Sequence, residues 1–306
     1  EGLNDYIYSG RIAADPRGID RVTRVEVLDD GPVAATLRIV SDAPGCNALW
    51  RDVTVYRGLG RVDIRNTVDK QDILEHESVR FVFPFNFAHP EITMDLAMSE
   101  MHPEREQLAG VNKHYYSLLN GMAVGDLEHA VCLTTLDAPF VELGTPSGED
   151  YRLNPRHGYG WWPSAQISPV VYSWVMNNTW RTNYKASQGG VASFRYSLQI
   201  CDPFDLKLPL IAVESGRAEP VGRLFRLEGR NRIAVSGIAP SADGTGYIVR
   251  LQNMGDQSVH SAFVWGRMKA RRVSVCDYRE QPLAPFDDRS FWMKPFEYLM
   301  LKVETE

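Results

Sequence analysis

Between Tyr172 and Leu198 the chain reads YSWVMNNTWRTNYKASQGGVASFRYSL, and here the side chains able to recognise a polar ring are densest. Trp174, Trp180 and Tyr184 stand among the amides Asn177, Asn178, Asn183 and Gln188, with Arg181 and Lys185 between them. Aromatic rings offer flat apolar faces, and carboxamides offer a donor and an acceptor at fixed spacing. A sugar presents the complement: C–H faces and a ring of hydroxyls. One reading is therefore a carbohydrate-facing segment. In it Asn177, Asn178, Arg181 and Asn183 form hydrogen bonds and Trp180 packs or stacks. The other reading is a buried polar corner whose amides satisfy loop backbone, because buried polar groups are almost always paired.

A self-contained catalytic site is not visible. The seven histidines, His76, His89, His102, His114, His129, His157 and His260, show no compact metal-ligand spacing. There is no GxSxG elbow, no phosphate loop and no GxGxxG. Asp29 and Asp30, Glu104 and Glu106, and Asp287 and Asp288 are close in sequence, but such acids in turns are usually solvated. A glycosidase mechanism needs two carboxylates roughly 5–9 Å apart across a cleft, a relation no spacing reveals. We expect neither a catalytic nor a metal-ligating residue in this chain. Gly158-Tyr159-Gly160-Trp161-Trp162-Pro163, inside the long stretch from Thr145 to Pro169, reads as a binding lip, as cover for a sheet edge or as a surface that packs on a partner domain.

The elements that would position these residues read as strands. Arg21 to Val27, Val33 to Val40, Arg51 to Tyr56, Arg61 to Val68 and Val79 to Phe85 alternate apolar and polar. Turn signals such as Asp29-Asp30-Gly31-Pro32, Ala43-Pro44-Gly45 and Gly58-Leu59-Gly60 separate them. Gly121 to Val124, Ala130 to Thr135, Phe140 to Leu143, Val171 to Met176 and Ser193 to Ile200 follow. Helical periodicity is confined to Asp95 to Met101 and Glu104 to Leu108. Strands without intervening helices predict antiparallel sheets. After a proline-containing connection near Asp202 to Pro220, short strands resume at Leu224 to Leu227, Ile233 to Ser236, Tyr247 to Asn253, Val259 to Trp265, Val273 to Cys276 and Tyr298 to Val303. The spacing suits a small β-sandwich. The predicted fold class is all-β, with a large antiparallel sandwich over residues 1–208 and a small β-sandwich over 209–306.

The 306 residues carry a net charge of −6 with the charges interspersed, which argues against a nucleic-acid footprint. No apolar run approaches the roughly 18 residues that suggest a membrane span. Cys46, Cys132, Cys201 and Cys276 lie far apart and form no framework, so they read as free or buried thiols and assign no compartment. Asn177-Asn178-Thr179 is a formal glycosylation sequon inside the aromatic cluster, where a glycan is hard to fit. The abrupt start at Glu1-Gly2-Leu3-Asn4-Asp5 reads as that of a processed precursor or of a fragment cut from a longer chain.

The order of several segments resembles the C-terminal region of glycoside hydrolase family 38, the α-mannosidases. These are Asn4-Asp5-Tyr6-Ile7-Tyr8, Asp29-Asp30-Gly31-Pro32-Val33, Val62 to Val68, Phe81-Val82-Phe83-Pro84-Phe85, Leu136-Asp137-Ala138-Pro139, Trp174 to Tyr184, Gly246 to Asn253 and Lys294-Pro295-Phe296-Glu297. The resemblance spans nearly the whole chain. It implies a galactose-mutarotase-like supersandwich followed by a small terminal sandwich. It also implies that the catalytic Asp and a divalent metal, usually zinc, belong to an N-terminal domain with no counterpart here. In the family a loop of the large sandwich reaches back to the active-site cleft, and Asn177 to Asn183 is its place in this sequence. The resemblance thus implies a mannoside-type substrate, a catalytic domain of the same polypeptide as partner, and a chain inactive alone. Two other classes stay open: an independent carbohydrate-binding module using Trp161, Trp162 and Trp180, and a mutarotase-like epimerase with a His/Glu pair.

Overall fold

The computed structural model describes residues 2–10, 18–126, 128–146, 162–178, 185–201, 223–229 and 232–305. Among these there is no helix, and every paired strand runs antiparallel. The chain divides into two units: Glu1–Leu96 with Met101–Pro209, and Ala97–Glu100 with Leu210–Glu306.

The first unit is a sandwich of two sheets. One has six strands in the order Tyr116–Ser117, Phe140–Leu143, Val170–Asn177, Glu77–Pro84, Asp5–Gly10 and Gly18–Ile19. The other has nine: Arg21–Asp30, Ala34–Asp42, Cys46–Tyr56, Arg61–Lys70, Gly190–Cys201, Ala130–Thr135, Gly121–Gly125, Glu91–Leu96 and Ser99–Met101. Alternation decides what lies between them. Tyr6, Tyr8, Val79, Phe81, Phe83 and Val171 point inward from the smaller sheet and meet Leu49, Ile64, Val68, Phe194, Tyr196 and Leu133 of the larger. Phe81 and Phe83 pack on Tyr196 with ring centroids 6.3 and 4.9 Å apart, so aromatic rings bridge the sheets. Burying each such side chain stabilises the fold by about 1.5–3 kcal/mol.

Polar pairs also join the two layers. Asn4 and Asn66 exchange two amide hydrogen bonds of 2.9 and 2.7 Å, with Asn4 in a left-handed conformation at φ 65°. Arg51 of the nine-stranded sheet forms a buried ion pair with Asp20.

The second unit has its own core. A five-stranded sheet runs in the order Ile233–Pro240, Gly246–Asn253, Tyr298–Thr305, Ala270–Cys276 and Pro282–Pro285. Two short pairs, Phe225–Leu227 with Phe263–Trp265 and Val259–Ser261 with Phe291–Met293, complete it. Val249, Leu251, Phe263, Met293, Leu301 and Val303 are its buried centre.

The all-β antiparallel class holds, and three local expectations are corrected. Residues 95–101 are not helical: Glu91–Leu96 and Ser99–Met101 are strands, and the turn between them places Ala97 and Met98 at φ 53° and 63°. Residues 104–108 form turns, with Glu104 at φ 72°. Cys132 and Cys201 are not free. They form a disulfide with Cα atoms 6.1 Å apart, because their strands are neighbours and Cys132 lies opposite Gln199, two residues from Cys201 on the same face. Cys46 and Cys276 are buried thiols.

Candidate functional site

The amide-rich segment starts where the Val170–Asn177 strand ends. Its register along the Glu77–Pro84 strand shifts between Trp174 and Met176, and the last pairing sets Asn177 opposite Ser78. The shift lies beside a buried charge. The Arg80 guanidinium sits 4.8 Å from the Trp174 ring, donates to Ser78 Oγ at 2.6 Å, and pairs with the Glu142 carboxylate. Tyr115 also meets Trp174 in an edge-to-face arrangement, with centroids 5.7 Å apart. An arginine stacked on an indole and bound to a carboxylate has little freedom, so the strand end is rigid.

Asn178 is buried, and its carboxamide is engaged with backbone. Oδ1 accepts the Glu77 amide hydrogen at 2.7 Å, while Nδ2 donates to the carbonyls of Ile73 at 3.0 Å and Glu75 at 2.7 Å. Its own amide donates to Glu77 O at 3.1 Å. This is the geometry of the polar corner rather than of a free ligand contact. The Asn177 side-chain oxygen is buried without a hydrogen-bond partner among the described residues. Trp180, Arg181 and Asn183 lie outside the described residues.

The chain returns against the same stretch. Ser187 is buried, and a Cβ added at Gly189 would lie 2.9 Å from the Cα of Asp72, so only glycine fits there. Gly190, at φ 108°, pairs with Lys70. Residues 70–77 therefore hold both ends of the segment, and are themselves fixed from inside. Glu77 accepts from Lys70 Nζ at 2.6 Å and from the Tyr8 hydroxyl at 2.9 Å, all three being buried. Burial, and then the bond to Glu77, push the Tyr8 phenol far above its ordinary range, so it stays a donor. The sequence signal for this stem was present in Glu77, Lys70 and Gly189, but nothing in their spacing joins residues so far apart.

A second stem receives Trp162. Its amide donates to His114 Nε2 at 2.9 Å and the two rings lie 4.7 Å apart. Nearby, Glu104 accepts from Lys113 at 2.9 and 3.1 Å and from the Ala165 amide, and Lys113 also donates to Pro163 O at 3.0 Å. The Ala165 amide and then the Lys113 ammonium hold the Glu104 carboxyl below the usual range. Trp161 is outside the described residues. Chemically, the arrangement orients segments and carries no poised acid–base pair. Among the described residues no three His, Cys, Asp or Glu side chains could hold a metal ion, so a divalent cation finds no donor set in them.

The remaining motifs of the sequence also do structural work. Asp137 accepts three hydrogen bonds from Arg195, one from its amide at 2.8 Å and two from its guanidinium at 2.9 and 2.8 Å. Asn253, fully buried, donates to the carbonyls of Gln257 at 2.7 Å and Lys294 at 2.8 Å and accepts from Gly255 N at 3.1 Å.

The fold and these stems define a class: two all-β antiparallel units in succession, the first a large sandwich that launches long segments from one sheet. Solved structures sharing it include an α-mannosidase and a protein of glycosyl hydrolase family 38. The chain is similar over 99% of its length to an α-mannosidase from Enterococcus faecalis V583, with a TM-score of 0.70 and 13% identity. It is also similar over 99% of its length to a protein in glycosyl hydrolase family 38 from Enterococcus faecalis, with a TM-score of 0.68 and 13% identity. It spans 38% and 40% of those two chains. No family model and no curated protein matches the sequence.

Proposed function

We propose that this chain is the C-terminal, non-catalytic portion of a retaining α-mannosidase-like glycoside hydrolase. Its role is to pack on a catalytic domain of the same polypeptide and to contribute contacts to a mannoside-type sugar. The observation that carries the reading is the alignment of 99% of this chain with about two fifths of two such proteins, across both β units. The stem at residues 70–77 supports the second part. It fixes the entry and exit of the segment 179–184, as a ligand-contacting loop on a rigid scaffold requires. On this reading Asn178 positions the segment. Arg181, Asn183 and Asn177 supply hydrogen bonds, and Trp180 supplies a face. Contacts remote from the reacting bond hold a substrate in attack geometry and lower the barrier by several kcal/mol. The zinc of such an enzyme belongs to the catalytic domain.

Two assays test this. The 306-residue chain with added zinc should not hydrolyse an aryl α-mannoside, and turnover well above background overturns the non-catalytic assignment. In the chain extended to its whole reading frame, Arg181→Ala or Asn183→Ala should lower kcat/KM by about 0.5–3 kcal/mol equivalent with the melting temperature nearly unchanged. A fall in stability with unchanged catalysis, for both variants, would make the segment scaffold.

A further inference from the structure

The nine-stranded sheet is wider than the sheet that covers it. Its inner face is defined by Leu49, Ile64 and Val68, which lie in the core. Register carries that face outward: Ile64 lies opposite Val53, Val53 opposite Leu37, and Leu37 opposite Val27. One row along, Arg51 lies opposite Ile39, and Ile39 opposite Val25. These positions continue the core pattern, yet Val22, Val25, Val27, Leu37 and Val55 are 54, 58, 67, 44 and 49% exposed. The opposite face of the same strands is built for water, with Arg24–Glu26 at 2.7 Å, Arg38–Asp52 at 2.7 Å and a Thr36–Thr54 hydroxyl pair at 2.9 Å. The bare face runs from Val55 into a depression of about 510 Å³ lined by Leu3, Leu59, Phe85, Leu198 and Ile200. Contiguous apolar surface of this extent marks an interaction site.

We infer that this inner face, along Arg21–Asp30, Ala34–Asp42 and Cys46–Tyr56, is the surface on which the catalytic domain of the longer polypeptide docks. The inference rests on the proposed function, and it names the place of contact. Two observations select the occupant. More than half of each of the two similar glycosidase-family proteins has no counterpart in this chain, which leaves a domain-sized body to account for. And strand addition by a second copy is disfavoured. The edge strand is bulged between Val22 and Arg24 and between Val27 and Asp29, and it carries Arg21, Arg24, Glu26, Asp29 and Asp30, features that blunt an edge.

The test co-expresses the 306-residue chain with the polypeptide encoded upstream in the same frame, as two separate chains. Val25→Glu with Val27→Glu should cut co-purification about tenfold or more. The melting temperature of the variant alone should stay within about 2 °C, since exposed side chains carry little folding energy. Val191→Glu, at a valine 68% exposed on the opposite face, is the control and should leave co-purification unchanged. If an upstream α-mannosidase domain co-purifies equally with the double variant, the docking face is wrong and the proposed function stands. If no catalytic domain is encoded upstream, the proposed function falls and this occupant with it. Dimerisation of the 306-residue chain that the double variant abolishes would give the face to a second copy and overturn the inference.

Discussion

Asparagine is the residue this protein uses to hold backbone that strands cannot pair. Asn178 ties residues 73–77 to the end of a strand, Asn253 ties Gln257 and Lys294 in the second unit, and Asn4 with Asn66 joins two sheets. Each is buried, where an orphaned partner cannot turn to water. Asn178→Ala leaves two carbonyls and one amide unpaired, and we expect a loss of about 3 kcal/mol in urea unfolding. A loss under about 1 kcal/mol would mean that water replaces the side chain. Asp137 sets a pH dependence of known sign. Its bonds from Arg195 hold the carboxyl below the usual range in the folded protein, whereas the unfolded chain protonates it near pH 3.9. The folded state therefore gains stability that is complete above about pH 5 and is lost as the pH falls toward the folded value. The Asp137→Asn protein should show a shallower decline of unfolding free energy with acid between about pH 5 and 2. An unchanged slope would show that the ion pair does not persist in solution.

Strands with a wet face declare themselves, and the rest are hidden for identifiable reasons. Arg61–Lys70 and Cys46–Tyr56 alternate and were legible. Glu91–Leu96 and Ser99–Met101 looked helical because the turn joining them uses Ala97 and Met98 at positive φ, where glycine or asparagine is the usual signal. The disulfide was invisible because Cys132 and Cys201 are 69 residues apart and meet only through strand order. Of the candidate site, the sequence shows the side-chain types and not their partners. The amides at 177–183 stand out by their density, but composition does not separate an amide that grips backbone from one that grips ligand, and Asn178 grips backbone. A loop of 69 residues closed by a disulfide is worth up to about 4 kcal/mol through the unfolded chain. Thermal unfolding of the Cys132→Ser protein, or of the reduced protein, should accordingly begin several degrees lower. No change would mean that the native thiols are held together by the strands alone.

At the scale of the molecule, the two units differ in how completely they bury themselves. The second closes a compact core around Leu251, Met293 and Val303. The first closes one between its sheets and leaves a further stretch of core-type face bare at Val25, Val27 and Leu37. A mutational scan should reflect this. Charge at Leu251 or Phe81 should abolish folding, because a buried charge without a partner costs several kcal/mol. Charge at Val25 or Val27 should be tolerated by the isolated chain. Intolerance at those two valines would show that the bare face is needed for the chain's own stability.

The bond between Cys132 and Cys201 also fixes how the chain would lengthen under load. Pulled from its ends, the oxidised protein cannot release the stretch between the two cysteines, a sequence separation of 69, however far its strands are unzipped. At about 3.4 Å per extended residue, that withholds about 230 Å of contour from the fully stretched chain. A force–extension trace taken before and after reduction should differ by that length, with the added extension appearing in the unfolding of the larger sandwich.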